Sequence, residues 1–273
     1  MKTIREAAAD HVLVAAHRGS AAGNIPCNTL AAYEIALRQG ADIIELDVAK
    51  TADGELFVFH PGMEFPHLRL EKHLSDITAG EVEKLRFVNV DGTPTAHPIS
   101  RLDEALDLLK GRCYVNIDKF WTAIPEITAT VRRHNMQRDV IVKTNAEPKW
   151  FDLVEELAPD LPYMPIIRKE DTLTESLFRR KLSYIGAEVL FTDESDPVAS
   201  PEYIRFMHDK GLILWGNAIV YNYKDVLAAG HSDDVSLTDD PEKGWGWLAR
   251  RGFDIIQTDW TLLAVLFLRE IGK

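Results

Sequence analysis

Cysteine is scarce: Cys27 and Cys113 are the only two in 273 residues. Two thiols so far apart cannot form the dense disulfide framework of a small secreted scaffold, and two free thiols in a reducing compartment are the simpler expectation. Long apolar runs are also missing. No stretch approaches the roughly 18 consecutive apolar residues that a membrane-spanning helix needs, so no stable membrane insertion is expected. The first residues, Met1 to Val14, carry charges at Lys2, Arg5, Glu6 and Asp10 and no apolar run. No secretory signal is expected there, and the cytoplasm is the default location. Positive charge is short as well: 31 Lys and Arg stand against 43 Asp and Glu, a formal net charge of −12. Nonspecific nucleic-acid binding rests on Lys and Arg neutralising phosphates, so that partner class is excluded. A small phosphorylated ligand is not, because a cation and one or two basic side chains can hold an anion inside an acidic surface. Internal repeats, low-complexity tracts and interdomain linkers are absent, and nothing in the sequence fixes an oligomeric state.

What is present is an alternation. Short apolar runs at Val12–Ala16, Ile43–Val48, Leu56–Phe59, Cys113–Ile117, Val140–Val142, Tyr163–Ile167, Ala187–Phe191, Leu212–Trp215 and Phe253–Ile256 read as strands. Amphipathic stretches lie between most of them, at Thr29–Arg38, Leu102–Leu109, Pro125–His134, Trp150–Leu157, Thr172–Lys181, Pro201–Lys210 and Leu262–Glu270. Such alternation indicates parallel βαβ units. Leu56–Phe59 is the exception, since too few residues separate it from Ile43–Val48 for a parallel crossover. Asp53-Gly54 is a two-residue hairpin signal there. Setting that arm aside leaves the eight parallel strands of a TIM-like (β/α)8 barrel, expected as a single domain over 1–273. Two stretches break the rhythm: an insertion over about 61–100 after the hairpin arm, with a short helix near Ala79–Arg86, and 217–252.

Several strands end in residues capable of chemistry, and in such barrels chemistry sits at the C-terminal strand ends. His17-Arg18-Gly19 follows the first run. Glu45 and Asp47 are two apart on one strand and so share a face. Paired carboxylates on a covered strand repel, and one divalent cation, Mg²⁺ or Ca²⁺, relieves them. A two-residue turn at Asp53-Gly54 would set His60 opposite Asp47. Asp118 offers a third oxygen ligand, and Lys119 a second phosphate-binding charge beside Arg18. One histidine could remove a proton from the attacking oxygen while the other protonates the leaving oxygen.

Ala16-His17-Arg18-Gly19, Asn28-Thr29-Leu30-Ala31-Ala32-Tyr33, Gly40 to Val48, Thr51-Ala52-Asp53-Gly54 and Phe59-His60 together resemble, in order and spacing, the glycerophosphodiester phosphodiesterase signature. Val115-Asn116-Ile117-Asp118-Lys119, Leu214-Trp215-Gly216-Asn217 and Ile255-Ile256-Gln257-Thr258-Asp259 resemble its later strands. The resemblance implies a TIM-like barrel that hydrolyses a small glycerophosphodiester to glycerol phosphate and an alcohol. It implies His17 and His60 as the acid–base pair, and Glu45, Asp47 and Asp118 on the metal. It also implies attack by the substrate's own neighbouring hydroxyl, through a cyclic phosphate that water then opens. Arg18, Lys119 and Trp215 are the expected substrate-binding residues, with Phe65, Phe120 and Trp121 as further pocket walls.

Three departures stand out. Pro26-Cys27-Asn28-Thr29 replaces the family's Pro-Glu-Asn-Thr, and His60-Pro61 replaces His-Asp. Asp118-Lys119 replaces a Glu with Lys two residues on, which resembles the spider-type sphingomyelinase D group. Loss of acidic groups at Cys27 and Pro61 would make the site edge more tolerant of anionic head groups, unless Cys27 merely packs. The competing readings are a lysophospholipase D-like or other phosphodiesterase, and, from another class, a weakly active barrel that binds phosphodiesters.

Overall fold

The computed structural model describes Met1–Lys273. The chain runs α1 (Ile4–Ala8), β1 (Leu13–Ala16), α2 (Leu30–Gln39), β2 (Ile43–Lys50), β3 (Leu56–Val58), α3 (Glu64–Leu68), α4 (Ala79–Val82), α5 (Leu102–Leu109), β4 (Tyr114–Asp118), α6 (Ile124–Arg133), β5 (Val140–Asn145), α7 (Pro148–Leu157), β6 (Tyr163–Arg168), α8 (Thr174–Leu177), β7 (Gly186–Leu190), α9 (Pro201–Asp209), β8 (Ile213–Asn217), α10 (Asp233–Thr238), α11 (Trp245–Arg251), β9 (Ile255–Thr258) and α12 (Thr261–Glu270). Every strand but β3 pairs in parallel with its neighbours, and β1 pairs with both β9 and β2. The sheet therefore closes on itself as a (β/α)8 barrel and leaves no open edge.

Two apolar layers make this closure stable. The outward strand side chains and the helices share a core of 52 buried residues. Inside, Leu13, Ile43, Tyr114, Ile141, Met164, Ile213 and Ile255 form a floor, and α1 packs against it through Ile4 and Ala7. Successive residues on a strand alternate faces, so each inward row continues upward in steps of two. The rows read Ile43–Glu45–Asp47, Tyr114–Asn116–Asp118, Ile141–Lys143–Asn145, Ile213–Trp215–Asn217 and Ile255–Gln257–Asp259. Apolar at the floor and polar at the mouth, these rows concentrate chemistry at the C-terminal end.

Two expectations need correction. The hairpin turn holds three residues, because Thr51 N–H donates to Glu55 O at 2.9 Å and Gly54 adopts φ 90° between them. A left-handed glycine closing a three-residue loop shifts the register by one. Val48 pairs with Val58, and Phe59 N–H donates to Asp47 O at 3.0 Å, so Phe59 rather than His60 faces Asp47. The helix expected over Thr172–Lys181 shrinks to Thr174–Leu177. Its end is captured by tertiary bonds, as Arg180 and the Lys181 amide turn to Asp152 and Glu155 on α7. The stretch 217–252, which breaks the alternation, carries α10 and α11. The insertion after β3 has a small core of its own, with Phe57, Phe59, Leu74, Val82 and Phe87 among ten buried residues.

Strand spacing at β7 gives a first test. A Cβ added at Gly186 would sit 1.9 Å from Ile213 O on β8. Gly186→Ala should force the two strands apart and cost about 1–3 kcal/mol. By thermal denaturation that is a Tm lower by roughly 2–10 °C for a domain of this size; an unchanged Tm would contradict the close approach.

Candidate active site

β2 and β4 pair so that Asp47 lies beside Asp118 and Glu45 beside Asn116. One carboxylate oxygen each from Glu45, Asp47 and Asp118 gather within 4.8 Å of one another. Asp47 is fully buried and Glu45 nearly so. With Asp118 partly exposed beside them, carboxylates this close do not all hold a charge readily unless something positive joins them. The surroundings supply part of it. Arg18 Nε lies 3.0 Å from Asp47 Oδ2, and its backbone N–H donates to Glu45 Oε2 at 2.8 Å. Lys119 Nζ donates to Asp118 Oδ2 at 2.8 Å. Arg18 and Lys119 both turn the chain into the left-handed region at strand ends, φ 56° and 58°. Non-glycine residues at such angles are found where the surrounding structure imposes them, often at functional sites.

The compensation is incomplete. Burial and the neighbouring Asp47 push the Glu45 carboxyl up to about 7. Asp118 is pulled the other way: burial opposes its charge, and Lys119 overcomes that and holds it below its usual range. Asp47 Oδ1 is buried with no hydrogen-bond partner. A lone pair left over amid three converging carboxylates fits a divalent cation, which prefers such hard oxygen ligands. Asn28 fixes the other Asp47 oxygen, its amide donating to Oδ2 at 2.9 Å, and is itself fixed by the Tyr33 hydroxyl at 3.0 Å.

The histidines stand on either side of this cluster. His60 Nε2 lies 3.9 Å from Asp47 Oδ1, so it reaches the site from one residue beyond the position that a two-residue turn assigns. Burial lowers its pKa more than Asp47 raises it. His17 Nδ1 is 2.8 Å from Asp259 Oδ1. Burial alone would depress His17, but Asp259 and Glu45 outweigh it and the net shift is upward. Asp259 is held in turn by Asp233, at the start of α10. Asp233 accepts from the Asp259 amide at 2.8 Å, the Thr258 hydroxyl at 2.6 Å and the Trp245 indole at 2.7 Å. Burial raises its own carboxyl to about 6. Neither Asp233 nor the Asp259–His17 pair emerged from reading the sequence. An acid two residues beyond Gln257 on an inward row was the available signal for Asp259, whereas Asp233 sits in the stretch read as irregular.

Trp215, expected at the substrate, lies deeper than the pocket mouth. It occupies the middle of its inward row, is 0% exposed, and donates to Gln257 Oε1 at 3.1 Å. Lys143 Nζ lies 3.1 Å above its ring and pairs with Glu188 at 2.8 Å, so Trp215 packs beneath the polar side chains of the pocket. Phe120 is core and Phe65 is exposed on α3, so neither lines the site, whereas Trp121 does. Cys27 and Cys113 are unpaired. Cys27 packs half-buried in the wall of a neighbouring cavity, its thiol pushed up to about 11 by burial, which suits a small apolar residue.

A family described as a domain of unknown function matches residues 163–268. The glycerophosphodiester phosphodiesterase of Bacillus subtilis is 49% identical over 228 residues, 75% of each chain. The chain belongs to the glycerophosphodiester phosphodiesterase family. The family's enzyme from Caldanaerobacter subterraneus subsp. tengcongensis is 33% identical over 157 residues, covering 55% of this chain and 64% of that relative, so the match spans less than two thirds of its length. The barrel is shared with a glycerophosphoryl diester phosphodiesterase of Parabacteroides distasonis, TM-score 0.79 at 17% identity, over 99% of this chain and 93% of the other. It is shared also with an Oleispira antarctica phosphodiesterase solved with the product sn-glycerol-3-phosphate, TM-score 0.68 at 18% identity, over 94% and 96%.

The His17–Asp259 pair can be measured directly. In metal-free protein, the His17 imidazole should titrate above the ordinary histidine value by NMR. In Asp259→Ala the raising partner is gone while burial remains, so the midpoint should fall. An unmoved midpoint would show that the hydrogen bond does not set the charge of His17.

Proposed function

We propose that the protein hydrolyses a glycerophosphodiester to glycerol phosphate and an alcohol. The observation that carries this reading is one polar pocket lined by His17, Arg18, Glu45, His60, Asp118 and Lys119. A cation-binding carboxylate set, two phosphate-directed bases and two proton-transfer groups are the parts that phosphodiester cleavage requires. Family membership and the product bound by the Oleispira antarctica enzyme support the same substrate class.

Glu45, Asp47 and Asp118 would hold one Mg²⁺ or Ca²⁺, which when bound neutralises charge on the phosphoryl oxygens. Arg18 and Lys119 orient those oxygens. His60, whose pKa is depressed, takes the proton from the substrate hydroxyl next to the phosphate. That oxygen attacks phosphorus, and the bond to the leaving alcohol breaks. His17, kept charged by Asp259, gives its proton to the departing oxygen. The cyclic phosphate that results is opened by water with the two histidines exchanging roles.

The proposal predicts that His17→Ala and His60→Ala each lose roughly 10²–10⁴-fold in kcat while keeping near-wild-type melting temperatures. Release of glycerol phosphate from glycerophosphoglycerol, followed with a coupled dehydrogenase, should stop in excess EDTA and return with Mg²⁺ or Ca²⁺. Retention of most of kcat in either histidine variant, or full turnover in EDTA, would overturn the assignment.

A further inference from the structure

Two cavities open on the same phosphate-directed groups, since His17, Arg18, His60 and Tyr221 line both. The smaller, about 350 Å³, is the polar pocket described above, with Lys143, Arg168 and Glu188 also in its wall. The larger, about 970 Å³, has a different chemistry. Its charged wall groups are His17, Arg18, His60 and Asp259, at the end where it joins the smaller one. Beyond them the wall is mixed: Ser20, Gln39 and Asn222 interrupt an apolar side that includes Trp260, Leu262 and Leu263. Trp260, Leu262 and Leu263 remain 51%, 43% and 42% exposed. Leu266, one turn beyond Leu262 on α12, is 53% exposed and extends the stripe, although the other face of this helix already buries Ala264, Val265 and Leu268. A surface helix ordinarily turns polar side chains outward. Contiguous apolar surface at the mouth of a reactive pocket marks a binding surface.

The geometry points to a phosphodiester whose phosphate sits at the junction, with a polyhydroxyl arm in the smaller cavity and a long apolar-chained alcohol in the larger. This rests on the phosphodiesterase reading above and adds the class of leaving alcohol. His17 lines both cavities, and the attacking hydroxyl next to the phosphate belongs to the polyol arm, so the alcohol in the larger cavity is the one that leaves. Cleavage therefore breaks the bond between phosphorus and the chain's oxygen. That oxygen takes the proton of His17, and the phosphate stays on the polyol. A compact cationic head group such as choline would leave most of the larger cavity unfilled.

The test is a series of sn-glycerol-3-phosphate esters of methanol, butanol and octanol, kept below their micellar concentrations, with glycerophosphocholine alongside. Full burial of a methylene gains roughly fourfold in affinity; in a groove open to solvent, about twofold per carbon is expected in kcat/KM. The octyl ester should then exceed the methyl ester by about 10²-fold and outpace the choline ester. A flat series, or choline as the fastest ester, would overturn the inference while leaving the phosphodiesterase reading intact. Leu263→Asp, a solvent-accessible change that does not threaten folding, should cut the octyl-to-methyl ratio about tenfold; an unchanged ratio contradicts the placement of the chain. If no ester is hydrolysed the phosphodiesterase reading fails, and the groove is judged by binding alone. Octyl phosphate should bind at least tenfold tighter than methyl phosphate by calorimetry, and equal affinities would overturn it.

Discussion

Glu45, Asp47 and Asp118 share a space in which three negative charges repel and water is scarce. Much of the surrounding structure answers that repulsion. The left-handed turn at Arg18 brings a guanidinium and a backbone N–H onto two of the carboxylates, and the turn at Lys119 brings an ammonium onto the third. Asn28 and Tyr33 pin Asp47 from behind. Even so, Glu45 is left close to protonation near neutral pH and one Asp47 oxygen has no partner. Burying charge that is only partly compensated costs stability, and a bound cation would complete the balance.

The barrel makes this arrangement possible through its alternating rows. A closed parallel sheet must fill its interior, and the floor does so with aliphatic residues sealed by α1. Two and four residues higher on the same rows, toward the mouth that opens to solvent, the side chains need not be apolar. Carboxylates, amides and Lys143 converge there from separate strands. The chain thus has a rigid frame where packing decides and a polar rim where chemistry decides, with connections between strands and helices free to supply Asp233 and the apolar groove.

Much of this was legible in the sequence because it follows from periodicity. The eight runs gave the barrel, and the i, i+2 spacing of Glu45 and Asp47 gave the carboxylate pair. The turn at Gly54 was also visible, but one extra loop residue changed the register; His60 still reaches Asp47 because it lies past the last strand pair, where the backbone is free to bend. Trp215 shows the converse limit. An aromatic near a strand end looks like a pocket wall until the row tells which layer it fills. The Asp233–Asp259–His17 chain joins residues up to 242 positions apart, and no local pattern encodes such a tertiary contact.

The most direct test of the carboxylate cluster is calorimetric titration of metal-free protein with Mg²⁺ and Ca²⁺ at pH 7, in buffers of different ionisation enthalpy. The account predicts binding of one equivalent with release of a fraction of a proton, because a cation displaces the proton that Glu45 partly holds at that pH, and loss of both signals in Asp47→Asn. Absence of binding at millimolar cation, or binding that survives Asp47→Asn unchanged, would contradict it.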